Sequence, residues 1–278
     1  MYKTILVHVD ETARSIKRIE VAARLAARYE AHLVGAAFTG LSAYMYTIPS
    51  MEPGVPPIAF PIEALRAKAA RALDLFDKTA SGEGVHSCER RLVEDEAAAG
   101  MCVQAHYSDL VVISQTSPDE FLPRLPSDFP EYVLLNSARP VLALPYVGVP
   151  GDIGSSVTVA WNGSAEAVRA ITTAIPILKQ ARRVDLVVFN ANDDDGVHGE
   201  NPGADMALYL ARHGVKVEVT AISGAQRGGE GLLSFAADTG ADLIVMGAYG
   251  HSRFHEFVLG GMTRTALASS PVALWMSH

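Results

Sequence analysis

The sequence predicts an α/β chain of two tandem units, each a five-stranded parallel sheet with helices on both faces. Three observations carry this. Short apolar runs alternate with amphipathic helical stretches from end to end, the pattern of a parallel sheet covered by helices. The length of 278 residues lies near the size at which one hydrophobic core divides, so two domains of about 140 residues are expected. Finally, two first-half segments recur in the second half. Asp109-Leu-Val-Val-Ile-Ser114 matches Asp242-Leu-Ile-Val-Met-Gly247, and Pro140-Val-Leu-Ala-Leu matches Pro271-Val-Ala-Leu-Trp. Buried strands are always rich in Val, Ile and Leu, so chance is the alternative. The shared order of ten strands argues against it.

In the first half, strands are expected near Thr4–Val9, His32–Phe38, Cys88–Val93, Asp109–Ser114 and Val141–Leu144. Helices are expected near Ser15–Tyr29, Ile62–Thr79, Glu94–Tyr107 and Phe129–Ser137. On the first helix Ile16, Ile19, Ala23, Leu25 and Ala26 fall on one broad face at helical period. The second half repeats the order. Its strands fall near Ser156–Trp161, Val184–Phe189, Lys216–Ile222, Asp242–Met246 and Val272–Met276. Its helices fall near Ser164–Gln180, Pro202–His213, Gly229–Thr239 and Gly261–Ser269. Pro145–Ser155 is rich in Gly and Pro, without periodicity, and reads as the linker. The expected domains are 1–147 and 148–278. The segment Leu41–Pro61 breaks the symmetry: its prolines exclude regular structure, yet it is too apolar for a solvated loop. It reads as a flap on its own domain or as a lid or docking surface. Its counterpart, Asn190–Asn201, is short and acidic and reads as a solvated loop.

Hydrophobic residues make up 49% and charged residues 19%, which excludes a disordered chain. A net charge of −8 without any Lys/Arg block argues against a nucleic-acid partner. No apolar run approaches the roughly 20 residues that span a bilayer. The N-terminus lacks the features of a secretory signal. Two cysteines, Cys88 and Cys102, make no disulfide framework. A soluble cytoplasmic protein without a membrane partner is expected.

The chemistry-bearing segment is Gly247–Thr263. It starts at the carboxyl end of the fourth strand of its unit, where open parallel sheets bind ligands. Gly247 and Gly250 would let backbone approach a ligand closely. Gly260 and Gly261 would open a helix whose free N–H groups and positive dipole end suit an anion. Thr263 adds a hydroxyl. This is a phosphate cradle without a P-loop or a G-x-G-x-x-G fingerprint. The alternative is that Gly247 and Gly250 merely turn the chain.

The spacing G-x2-G-x9-G followed by a small residue resembles the nucleotide-binding signature of the universal stress protein family. Gly247, Gly250, Gly260 and Gly261 stand at its positions; Gly261 replaces the more usual Ser or Thr. The string to Arg264 is similar to ATP-binding members, and the opening Ile-Leu-Val-His-Val-Asp10 is also family-like. The resemblance implies two Rossmann-like, adenine nucleotide alpha hydrolase-like domains packed as a pseudo-dimer. It implies a role in stress response, with ATP, ADP or AMP held by the second domain and Mg²⁺ as an accompanying ion. Carried over position by position, Ala160 and Asn162 end the first strand of that domain, Asn162 standing where Asp near adenine and ribose is usual. Phe189 would face the adenine. Met246, Gly247 and Gly250 would pass the ribose and α-phosphate. Gly260, Gly261, Met262 and Thr263 would receive the phosphates. His251, Ser252 and Arg253 lie in the loop between, with Arg253 either at the terminal phosphates or facing solvent.

The first half departs from the signature. Ser114, Ser117 and Phe129 stand where the second half has Gly247, Gly250 and Gly260. Phe129 and Pro130 at the helix start would block an anion and remove a donor, so no ATP site of this kind is expected there.

Other constellations are weaker. No G-x-S-x-G elbow exists, because Phe254 stands at the last glycine. His86, Cys88, Cys102 and His106 form no zinc spacing, and no metal site is expected. Gly228–Gly231 reads as a helix-opening loop, and Asp193–Asp195 as a solvated one. No general base, water-positioning carboxylate or catalytic triad stands out, so any ATP hydrolysis is expected to be slow. Three readings stay open: a nucleotide-dependent regulatory protein, a slow ATPase, and a partner-docking protein that has lost its ligand. A homodimer or an unidentified protein partner is left open too.

Overall fold

The computed structural model describes residues 1–42, 61–116, 128–148, 151–189, 203–222, 228–250 and 259–278. Most of Leu41–Pro61, all of Asn190–Asn201 and Ser117 lie outside the described residues. Contacts divide the chain into two compact units. The N-terminal unit comprises Tyr2–Val112 and Ser117–Ser137; the C-terminal unit comprises Met1, Ile113–Thr116 and Ala138–His278.

In the N-terminal unit the elements run β1 (Thr4–Val9), α1 (Ala13–Tyr29), β2 (His32–Phe38), α2 (Ile62–Gly82), β3 (Cys88–Val93), α3 (Ala97–Ala105), β4 (Leu110–Ser114, its last two residues in the other unit) and α4 (Phe129–Asn136). Its strand order is β3-β2-β1-β4. The pairs β1–β2, β1–β4 and β2–β3 are parallel. Helices cover both faces. Gly35 of β2 faces the Phe76 ring of α2, where a Cβ would sit 2.7 Å from it. Three residues on, Phe38 faces Gly100 of α3, as the alternation of side chains along a strand requires. The apolar face of α1 differs from expectation at one position. Ile19, Ala23, Leu25 and Ala26 are buried, but Ile16 is exposed, while Ser15 and Arg18 are buried.

The C-terminal unit begins with β5 (Val141–Leu144) and repeats the alternation: β6 (Ser156–Trp161), α5 (Ala165–Leu178), β7 (Arg183–Phe189), α6 (Ala204–Arg212), β8 (Glu218–Ile222), α7 (Gly228–Asp238), β9 (Leu243–Gly247), α8 (Leu259–Ser269) and β10 (Ala273–Ser277). The order is β5-β10-β9-β6-β7-β8. The α/β class is as predicted, and β5 neighbours β4 as well as β10, the last two residues of β4 lying in this unit. β5 pairs antiparallel with β10, Ala143 opposite Leu274, whereas the pairs β9–β10, β6–β7, β6–β9 and β7–β8 are parallel. Both strands are wholly buried runs of apolar residues, and pairing them leaves neither as an open edge.

The recurring Asp has a physical role in each unit. Asp109 Oδ2 accepts from the backbone N–H of Lys3 (2.6 Å) and Thr4 (3.0 Å), at the start of β1. Asp242 accepts from Gly154 (2.7 Å), Ser155 (2.9 Å) and Ser156 (3.0 Å), at the start of β6. Each carboxylate thus satisfies donors that no neighbouring strand reaches. A further polar tie lies at the end of β4. Buried Gln115 donates from Nε2 to Ser270 O (3.1 Å) and Ala266 O (3.3 Å) at the carboxyl end of α8, and its Oε1 accepts from Tyr146 N (3.2 Å). Among the described residues no helix is long and apolar enough to cross a membrane.

Candidate functional site

The predicted site residues that are described gather at the carboxyl ends of β6 and β9. β6 ends at Trp161, and exposed Asn162 follows. The Asn162 side-chain oxygen accepts from Ser164 N (3.1 Å), an Asx turn that brings the chain into α5. Ser164 caps that helix, its Oγ accepting from Ala167 N (3.1 Å). Glu166, in the first turn, suits the positive end of the helix dipole. It is only 9% exposed, and its Oε1 accepts from Arg169 (2.9 Å).

β9 runs into this first turn. A Cβ on Gly247 would lie 2.5 Å from Ala167 N and 2.7 Å from the Glu166 carbonyl carbon. Only hydrogen fits there, so Gly247 is required for strand–helix packing before any ligand is considered. A substitution at Gly247 would therefore disturb the fold as well as any ligand. Ala248 N then donates to Ser277 O (2.9 Å), continuing the β9–β10 ladder by one bond. Tyr249 takes a left-handed conformation (φ 52°), uncommon for a bulky residue. Its N–H donates to Thr263 Oγ1 (3.3 Å), within α8. Gly250 closes the turn against Glu166, whose Oε2 lies 2.9 Å from where a Cβ would stand.

α8 starts at Leu259, two residues before the helix expected from sequence. Gly260, Gly261 and Met262 therefore sit inside its first turn. The first four N–H groups of a helix have no intrahelical partner, so these residues still present donors. Gly261 is exposed, and a Cβ there would meet nothing within 4 Å. Thr263 is buried and its oxygen already holds Tyr249. The link from Tyr249 to Thr263 brings the Gly247–Gly250 turn to α8.

The remaining candidates divide in two. Ala160 and Met246 are buried strand residues, and Phe189 ends β7 opposite Ile222. His251, Ser252 and Arg253 lie outside the described residues. Three residues of this corner escaped sequence reasoning: Ser164 and Glu166 read as an ordinary helix start, and nothing marked Tyr249 as left-handed.

The same place in the N-terminal unit is filled. Asp10, after β1, accepts from Thr12 N (2.9 Å) in the same kind of turn. Its second oxygen pairs with Arg18 (2.9 Å), which is 3% exposed. Arg18 Nε donates to His8 O (2.6 Å), and Ser15 Oγ accepts from Asp10 N (3.1 Å). The His8 ring lies 4.9 Å from Phe129 and 5.9 Å from Phe38, centre to centre. Burial pushes His8 down to about 3, Arg18 acts the same way and Asp10 opposes. Burial alone would raise the Asp10 carboxyl. Arg18, His8 and Thr12 together outweigh it and hold the group below the usual carboxylate range. Phe129 is fully packed at the start of α4, with Pro130 beside it.

Cys88 is exposed and Cys102 is buried; burial pushes the Cys102 thiol up to about 11. Among the described residues no three His, Cys, Asp or Glu side chains gather into a metal-holding group.

Residues 155–278 match the family model described as "Universal stress protein family". A universal stress protein from Archaeoglobus fulgidus DSM 4304 has a similar structure at 18% identity, covering 99% of this chain and 97% of its own, with a TM-score of 0.72. A putative universal stress protein from Pseudomonas aeruginosa UCBPP-PA14 covers 99% of this chain and 93% of its own, at 12% identity and a TM-score of 0.60. A universal stress protein in complex with cAMP covers 51% of this chain and 95% of its own, at 22% identity and a TM-score of 0.36. The first two likenesses show the fold. No curated protein matches the chain.

Proposed function

We propose that the C-terminal unit, whose residues 155–278 belong to the universal stress protein family, binds an adenine nucleotide. The base lies toward Ala160, Asn162 and Phe189, the ribose and α-phosphate pass Met246–Gly250, and the phosphates meet the first turn of α8. One observation carries the reading. Gly261 presents an exposed, empty side in a helical turn whose N–H groups lack intrahelical partners and whose dipole end is positive. Asn162 gives its oxygen to Ser164 N, so its amide N–H groups are what it offers a ligand.

ATP is the proposed nucleotide, with ADP and AMP as shorter ligands of the same site. His251 and Arg253 are proposed at the phosphates, and Mg²⁺ accompanies them. The nucleotide acts as a regulatory ligand in the stress response and is hydrolysed slowly or not at all. The two sequence halves, 1–147 and 148–278, are proposed as copies of one ancestral unit, working in the cytoplasm. The N-terminal copy is proposed to hold no ATP and to be free for a protein partner.

Gly261→Val tests the reading cleanly, because the added side chain meets no protein atom. ATP affinity by calorimetry should fall at least tenfold, with the urea midpoint unmoved. Unchanged affinity overturns the proposal. Measuring ATP turnover alongside separates a held ligand from a substrate.

A further inference from the structure

Tyr249 occupies a conformation that its own side chain disfavours, so its neighbours must hold it there. Its φ of 52° lies in the left-handed region, where a Cβ crowds the following carbonyl. Such a residue persists only where the surrounding structure fixes it. Ala248, just before it, is tied to β10 from both sides: its N–H donates to Ser277 O (2.9 Å), and its O lies 3.0 Å from His278 Nδ1. Tyr249 leaves that ladder, and its N–H donates to Thr263 Oγ1 (3.3 Å), 14 residues further along the chain in α8. Thr263 is 2% exposed, so its hydroxyl is directed at the turn and closed to a phosphate arriving from solvent at the helix start. In the nucleotide reading the two ends of this bond serve different parts of one ligand. The ribose and α-phosphate pass Met246–Gly250, and the remaining phosphates meet the first turn of α8.

We infer that Thr263 is a positioning residue of the nucleotide site: its hydroxyl holds the Tyr249 turn left-handed and so sets the backbone against which the nucleoside lies. It touches no phosphate. Removing the hydroxyl therefore weakens every ligand that carries the nucleoside by a common factor, whatever its number of phosphates. This rests on the nucleotide reading above.

The experiment measures adenosine, AMP and ATP binding to the full chain by calorimetry. It compares the unmodified protein with Thr263→Val, Thr263→Ser and Thr265→Val. Valine keeps the shape and leaves the Tyr249 N–H without its acceptor, whereas serine keeps an acceptor. Thr265, on the same helix, packs toward Gly229 of α7 and serves as the control. Thr263→Val should lose about fivefold or more for each ligand, the three factors agreeing within about twofold. Thr263→Ser and Thr265→Val should stay within about twofold of the unmodified protein. A loss confined to ATP, or to AMP and ATP, puts the hydroxyl on a phosphate and overturns the inference while upholding the nucleotide reading. Unchanged affinities in folded Thr263→Val, or an equal loss in Thr263→Ser or Thr265→Val, also overturn it. So does adenosine failing to bind where AMP binds, because the turn then holds no nucleoside. If Thr263→Val does not fold, Thr263→Cys, whose sulfur is a weak acceptor, is read by the same criteria. Binding of none of the three ligands to the unmodified protein overturns both proposals.

Discussion

The corner after β1 and the corner after β6 are built from the same local grammar and end in opposite states. In both, a short polar side chain two residues before the helix N-cap forms an Asx turn: Asp10 to Thr12 N, Asn162 to Ser164 N. Eight residues further on, the N-terminal unit has Arg18 and the C-terminal unit has Ala170, both buried. Arg18 fills its corner with a guanidinium held by Asp10 and His8, and Phe129 packs over the His8 ring. Ala170 reaches nothing polar, and the C-terminal corner is lined by backbone at Gly247 and Gly250 with the carboxylate of Glu166 beside them. One corner thus satisfies its charges internally. The other sets two glycines and the Glu166 carboxylate at the same turn instead.

Three perturbations would break or sharpen that contrast. Arg18→Ala should have the largest effect, about 3–5 kcal/mol of lost stability by urea denaturation, because it strands the Asp10 carboxylate beside an apolar core. A loss below about 1 kcal/mol would mean the network does not hold the corner. Next comes the paired substitution at the strand ends. Gly247→Ala drives a Cβ into the backbone of α5 and should cost up to about 3 kcal/mol, whereas Ser114→Ala should cost less than about 0.5 kcal/mol. Equal costs would erase the distinction.

The third concerns pH. The folded value of His8, about 3, lies below its ordinary 6.5, so the unfolded chain takes up the proton first. Stability is fully present above pH 6.5 and is lost as pH falls toward 3, by roughly 2 kcal/mol between pH 6.5 and 4.5. Asp10, also held low, adds loss of the same sign further into acid. His8→Phe should flatten the upper part of that slope. An unchanged slope would show that His8 is not the titrating group.

Much of the fold was legible because strands buried on both faces are continuous apolar runs bounded by turn residues. β1, β2, β5 and β6 begin and end where those runs do. Helix ends were less legible. α8 starts at Leu259, before its glycines. The α1 face was misjudged at Ile16 because periodicity sees only apolarity, and Arg18 is buried by its partners rather than by its chemistry. The antiparallel β5–β10 pair was not legible, since a buried run does not state its neighbour's direction. At the site, the spacing of Gly247, Gly250 and Gly260 identified the loop. It did not reveal that Gly247 is also required by Ala167, nor that Glu166 faces Gly250, because both depend on how α5 docks.

The pairing of β5 with β10 bears on any attempt to dissect the chain. A fragment that begins at the sequence boundary near residue 148 discards Val141–Leu144 and Gln115 together. β10 is then left as a bare, flat, apolar border open to self-association, and the carbonyls of Ala266 and Ser270 lose their amide donor. A cut before Ala138 keeps β5 paired on β10, so a piece of the second half that retains this pair starts inside the first.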